Sequence, residues 1–141
     1  MIEMVTLDVG SGQIGRGDIN LDIDKNWPIT ICADAMHIPF RRLDKIVSWH
    51  LIEHMPNPVK FLDELTSVAK LVEIHCPHKF SMSAKPGKGK THLYFFDSAW
   101  FQNYARKRGL KCRVHVRLDI ERVHLKAPFM FEIVAWFWGK A

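Results

Sequence analysis

Glycines at positions 10, 12 and 15, with a carboxylate at Asp8 and others at Asp22, Asp24 and Asp34, crowd the N-terminal part of the chain. Glycine lets backbone approach a ligand closely, and carboxylates accept hydrogen bonds from hydroxyl and amino groups. His37, His50 and His92 are candidates for proton transfer, because histidine as a residue type suits acid–base work near neutral pH. Read literally, the glycines spell G-x-G-x-x-G, the dinucleotide fingerprint. That fingerprint needs a helix after the glycines and an acid ~20 residues on. Asp22 lies only 12 residues after Gly10, and Asp24 only 14. A βαβ crossover usually takes a dozen or more residues, so a helix hardly fits between Gly15 and Ile19. A nicotinamide reading therefore matches in letters and fails in context. A glycine turn with no ligand is the plain alternative.

The elements that must position these residues follow from apolar periodicity. Met4–Val9 reads as a buried first strand, and Ile19–Asp24 alternates as a short second one. Ile29–Ala33 and Asp44–Trp49 are the third and fourth. Asn57 as N-cap with Pro58 at the first helical position starts a helix whose apolar face is Phe61, Leu62, Leu65, Val68 and Ala69. Leu71–Cys76 is a fifth strand, stopped by Pro77. A polar, basic loop covers 79–91. Asp97 caps a second helix to about Lys107, with Gly109 as its stop. Lys111–Leu118 and Phe129–Trp138 are two more strands with no helix between them, hence an antiparallel pair. The pattern predicts an α/β, Rossmann-like three-layer sandwich. Its sheet is mostly parallel with an antiparallel C-terminal strand pair, and its first crossover helix is shortened or absent.

At 141 residues the chain is one domain, 1–141, and 48% hydrophobic residues suffice for a core. A net charge of +5 permits an anionic partner without requiring one. Cys32, Cys76 and Cys112 are odd in number and form no C-x-x-C, which argues against a disulfide framework or a zinc knuckle. Glu3 and Asp8 interrupt any signal sequence, and the longest apolar run, Phe129–Trp138, contains Glu132. The expectation is a cytoplasmic protein with no membrane partner.

Four segments in order carry a resemblance. They are Asp8-Val9-Gly10-Ser11-Gly12, Asn20-Leu21-Asp22, Ala33-Asp34-Ala35-Met36-His37-Ile38-Pro39-Phe40, and the stretch from Asp44 through Ser48-Trp49-His50-Leu51-Ile52-Glu53-His54 to Asn57-Pro58. Together they resemble the class I S-adenosylmethionine-dependent methyltransferases, especially the small type 11 branch. His92 to Asp97, Trp100, Phe101 and Gly109-Leu110 are similar to a later segment of that family, so the likeness spans nearly the whole chain. It implies S-adenosyl-L-methionine as cofactor and methyl transfer to an acceptor, whether small molecule, protein or RNA. By the resemblance Gly10 and Gly12 approach the methionine part of the cofactor, and Asp8 holds its amino group or organises the loop. Asp22, ahead of its competitor Asp24, accepts from the ribose hydroxyls. Asp34 accepts from the adenine amino group, with Ala35 and Met36 lining the base. Ser48, Trp49 and His50 lie toward the sulfonium. His50 is the catalytic candidate, and His37, His92, Lys88 and Lys90 are substrate-side candidates. Glu53 and His54 read as structural.

Two other motifs are decoys. Ala84 to Thr91 nearly spells a P-loop, but the aromatic run Leu93–Phe96 follows where a helix should begin. His75-Cys76-Pro77-His78 holds metal-ligand types, yet strand alternation turns His75 and Cys76 to opposite faces, so no metal is expected. The competing expectations are a non-catalytic partner or RNA-binding adaptor with the same fold and, below it, a nicotinamide-dependent oxidoreductase. The missing helix leaves the pocket short, to be completed by a second copy or a partner subunit.

Overall fold

A computed structural model describes residues 4–80, 94–118 and 131–139. Seven strands form one sheet: β1 (Thr6–Val9), β2 (Ile19–Asp22), β3 (Ile31–Cys32), β4 (Leu43–Trp49), β5 (Ala69–Pro77), β6 (Lys111–Leu118) and β7 (Phe131–Trp138). Their spatial order is β3-β2-β1-β4-β5-β7-β6. The first five run parallel, and β7 inserts antiparallel between β5 and β6. The mostly parallel sheet and its antiparallel C-terminal pair are as the sequence predicts.

Helix α1 (Pro58–Val68) starts where Asn57 Oδ1 accepts the Lys60 amide at 3.0 Å, with Pro58 spending no donor at the first position. It buries Phe61, Leu62, Leu65 and Val68. Ala69, grouped with the helix by periodicity, instead takes extended backbone and opens β5 without a loop, because it pairs there with Leu43. Helix α2 (Ser98–Arg108) is capped by Asp97, whose Oδ1 accepts the Trp100 amide at 3.0 Å. It ends at Gly109, in the left-handed region at φ 66°, where glycine is favoured because it has no Cβ. Arg106, Lys107 and Arg108 sit in its last turn, where the helix dipole favours cations.

Both α-helices lie on one face of the sheet. The Tyr104 hydroxyl on α2 donates to Asp63 Oδ1 on α1 at 2.7 Å, and the Tyr104 ring meets Phe137 of β7 edge-on at 5.5 Å. That face contributes Leu7, Val9, Ile46, Val72, Ile74, Cys76, Ile133, Ala135 and Phe137 to one apolar cluster. The far face alternates with it and is polar: Asp8 on β1, Lys45 and Trp49 on β4, Glu73 and His75 on β5, Glu132 and Trp136 on β7. Cys76 is in the core and His75 is on the far face, as strand alternation requires.

The connection from β1 to β2 is residues 10–18 and contains no helix. It crosses instead as an extended turn laid against β1. The Asp18 amide donates to Thr6 O at 2.8 Å, and the Thr6 amide donates back to Asp18 Oδ2 at 2.8 Å. A Cβ on Gly17 would stand 2.7 Å from backbone atoms of Thr6, Asp8 and Ile19. No side chain can be placed there unless the strand pair opens. Gly17→Ala should therefore cost about 1–3 kcal/mol of stability. A lowered urea midpoint with unchanged slope is the expected reading, and an unchanged midpoint would show that the crossover yields freely.

Candidate functional site

One cavity, of about 150 Å³, opens at the carboxyl ends of β1, β2 and β3. Gly10, Leu21, Asp22, Ile23, Ala33, Asp34, Ala35, Leu51 and Met55 line it. Open parallel sheets bind ligands at this end. Each wall has a local cause. Gly10 (φ 72°) and Gly12 (φ 55°) turn the chain out of β1 through left-handed conformations. The amides of Gly10 and Ser11 both donate to Leu21 O, at 2.8 and 3.0 Å, and the Gly12 amide donates to Asp22 Oδ2 at 2.9 Å. A Cβ on Gly10 would strike Leu51 Cδ2 at 2.7 Å, whereas one on Gly12 would meet nothing within 4 Å. Leu51 and Met55 are brought up by a 3₁₀ turn, Ile52–His54, that follows β4.

Asp22 is held from both sides. Its Oδ1 accepts the Asp24 amide at 2.9 Å while Oδ2 takes Gly12. Each oxygen keeps a further lone pair. Asp24, its competitor in the sequence, accepts the Asn26 amide at 3.0 Å and does not line the cavity. Asp34 Oδ1 accepts the Met36 amide at 2.8 Å, closing a small turn at the cavity wall. Asp8 is fully buried; Oδ2 accepts the Arg16 amide at 2.8 Å, and Oδ1 has no partner. Burial raises the Asp8 carboxyl above its ordinary range against the pull of the Arg16 amide. The neighbouring Ser11 hydroxyl is also buried without a partner.

The structure therefore brings Gly10, Asp22, Asp34 and Ala35 to one cavity, with Asp8 in β1 and Gly12 in the loop that follows it. Others of the sequence-derived set go elsewhere. Met36 packs against the core and His37 is exposed. Ser48 points into the helix-side half of β4, with its hydroxyl buried and unpartnered. Trp49 stacks flat on His75 at 3.7 Å, with the Arg16 guanidinium 4.1 Å above its ring. His92, Lys88, Lys90 and the P-loop-like segment lie outside the described residues. Sequence reasoning missed Leu21, Ile23, Ala33, Leu51 and Met55 as lining residues. Ile23 alone left a signal, as an apolar residue directly after the acid of β2, and it is 72% exposed.

His50 belongs to a separate polar cluster. Its backbone lies at φ 53° and its amide donates to His75 O at 2.7 Å. Its ring Nε2 is 3.2 Å from Glu132 Oε1, and Nδ1 is 3.7 Å from Glu53 Oε1. Glu132, buried on β7, also meets His75 Nδ1 at 3.0 Å and Arg117 Nε at 2.8 Å. His75 Nε2 reaches Glu73 Oε2 at 2.8 Å, while Glu73 Oε1 accepts the Trp136 indole N–H at 2.7 Å and faces Lys45 at 3.3 Å. Burial alone would favour neutral groups here. For Glu132, the hydrogen bonds from His50, His75 and Arg117 overcome burial and hold the carboxyl far below its usual range. For Glu73, the His75 hydrogen bond brings it to about 2 against the effect of burial. Burial opposes a charge on His75, yet its two carboxylate partners raise its pKa above the ordinary value.

No family model matches the chain, and no curated protein matches it in sequence. Solved structures do match in fold. A S-adenosylmethionine-dependent methyltransferase of Thermotoga maritima, described as a possible histamine N-methyltransferase, superposes with a TM-score of 0.73 at 15% identity, over 98% of this chain and 83% of that one. The chain has the class I methyltransferase fold. A Haloferax volcanii methyltransferase, solved in complex with the Trm112 activator, matches at 0.69 and 12% identity over 96% and 82%. A S-adenosylmethionine-dependent methyltransferase of Aquifex aeolicus matches at 0.59 and 19% identity over 94% and 81%.

The charge cluster carries a pH dependence. Glu73, with an ordinary value of 4.5 lowered to about 2, stabilises the fold fully above 4.5 and loses that contribution as pH falls toward 2. His75, raised above 6.5, stabilises fully below that value and loses its contribution as pH rises through its folded value. Urea midpoints measured from pH 5 to pH 2 should fall less steeply in Glu73→Gln than in the wild type. Parallel curves would mean that Glu73 is not the titrating partner.

Proposed function

We propose that this chain is a S-adenosylmethionine-dependent methyltransferase, similar within class I to the small type 11 branch. The observation that carries the reading is the convergence of Gly10, Asp22 and Asp34 on one cavity at the carboxyl ends of β1, β2 and β3. A nucleoside-bearing ligand asks for those groups: apolar walls for a flat base, and acceptors for hydroxyls and an amino group. Leu51, Met55 and Ile23 supply the walls, and the spare lone pairs of Asp22 and Asp34 the acceptors. The unpartnered Asp8 Oδ1 and Ser11 Oγ, with the empty space where Gly12 lacks a Cβ, fit an amino acid moiety beside the loop. The likeness in fold to methyltransferases supports the same assignment. A dinucleotide fits worse, because the glycine loop opens no helix whose N-terminus could take a pyrophosphate.

When bound, S-adenosylmethionine supplies a methyl group already activated by its sulfonium. As the bond from acceptor to methyl forms and that from sulfur breaks, the acceptor gives up a proton. The protein's contribution on this reading is positioning. Asp22 and Asp34 fix the nucleoside, and the Gly10–Gly12 turn fixes the methionine part. His50, engaged by Glu132 and Glu53, acts here as a structural member of the carboxylate cluster rather than as a base.

A second reading, a subunit whose site is completed by a partner, is favoured by the exposure of Ile23 at the cavity rim and by the likeness to the Haloferax volcanii methyltransferase solved with its activator.

Isothermal titration of the chain with S-adenosylhomocysteine tests the first reading. Asp22→Asn should weaken binding about ten- to a hundredfold, since it replaces a charged acceptor, and Asp34→Ala about two- to tenfold. Absence of heat with the wild-type protein alone, restored in a complex, would move the assignment to the second reading. Wild-type affinity retained in both variants would remove these carboxylates from the site.

A further inference from the structure

We infer that the far face of the C-terminal strand pair is a binding surface for a single nucleic-acid strand. This goes beyond the methyl-donor site and does not rest on it. Alternation along β6 sets Lys111, Arg113, His115 and Arg117 on one face, and all four are exposed. Across the ladder Lys111 pairs with Trp138 and Arg113 with Trp136. Cations and indoles thus stand side by side in successive rows. A groove of about 250 Å³ on this face is lined by Arg113, His115, Trp136, Trp138 and, from β5, Leu71.

Among the described residues, the solvent-facing charge on this surface has one sign. Its two acids are withdrawn: Glu132 is buried and bound to Arg117 and two histidines, and Glu73 is bound to His75, Trp136 and Lys45. Lys111 and Arg113 face solvent. The partner is therefore anionic. The indoles narrow its chemistry further. Trp136 is pinned, its N–H given to Glu73 at 2.7 Å and its ring met edge-on by His115 at 5.5 Å. Trp138 is 37% exposed. Two same-face positions on one strand stand about 6.8 Å apart, a separation that suits successive bases of an extended chain. Flat aromatic platforms interleaved with phosphate-binding cations on an open sheet are what a single strand requires. An acidic peptide would use the cations and leave the indoles idle.

Titration of a fluorescent twelve-residue oligouridylate into the full chain, without methyl donor, tests this. Binding at low salt with quenching of tryptophan emission is expected. The logarithm of affinity should fall against that of salt with a slope of about −1.4, as for the two phosphates that Lys111 and Arg113 would neutralise. Lys111→Glu with Arg113→Glu should lower affinity at least tenfold. Trp138→Ala should lower it severalfold while leaving the salt slope unchanged, an outcome that general charge attraction does not produce. Arg106→Glu with Lys107→Glu, on the opposite face, should change little. The inference is overturned by no binding at low salt, by a loss confined to the α2 variant, or by binding to phosphatidylserine vesicles with none to the oligonucleotide.

Discussion

Parallel strands β1 and β2 are joined by nine residues, and most of what distinguishes this molecule follows from that constraint. A helical crossover would occupy the far face of the sheet and present its N-terminus to the cavity. Here the chain has no room for one. The loop instead satisfies its backbone donors locally: two amides share Leu21 O, one goes to Asp22, one to Asp8 and one to Thr6. Because buried amides must be paired, the loop's path is set by where acceptors stand. Asp8 and Asp22 are therefore part of the backbone's hydrogen-bond accounting before any ligand is considered.

The far face carries the second consequence. Among the described residues no helix packs over β4, β5 and β7, and that face buries few apolar side chains, Val47 and Val134 among them. The sequence places a charge cluster instead, with His75 between Glu73 and Glu132 under the Trp49 ring. Removing one member of such a cluster leaves a buried charge without its partner, which is costlier than never having built it. The cluster thus ties β4, β5, β6 and β7 together by directional contacts where the opposite face uses apolar packing. That division of labour lets one sheet present a dry core on one side and a polar, aromatic surface on the other.

Much of this was legible in the residues. Helix starts at Asn57-Pro58 and Asp97, and the stop at Gly109, are local chemistry and appear where the sequence puts them. The count from Gly10 to Asp22 already pointed to a crossover helix shortened or absent, and Asp22 rather than Asp24 does line the cavity. What the chain order hid is what depends on long-range pairing. Trp49 and His50 stand at the end of β4 in the order that the resemblance suggested, but distant residues meet them: His75 stacks on Trp49, and Glu132 is 82 positions away from His50. Leu51 and Met55 read as ordinary apolar residues, and only the close approach of Leu51 to Gly10 shows why they reach the cavity. Glu132 looked like an interruption in an apolar strand. It is the acceptor on which His50, His75 and Arg117 converge.

Structural and functional readings of the strand-end acids are often set against each other, yet in this fold they are the same reading. An aspartate that only capped a turn would be free to swing once its amide found water. Asp22 cannot, because one oxygen holds the loop from β1 and the other holds the turn after β2. On the proposed reading, a carboxylate already fixed in this way lowers the ordering cost that binding must meet. Gly12 completes the arrangement. Its amide steadies the carboxylate, and its missing side chain leaves open the space beside it. The short crossover, which removes the helix that a deeper pocket would use, is what locks the acid in place.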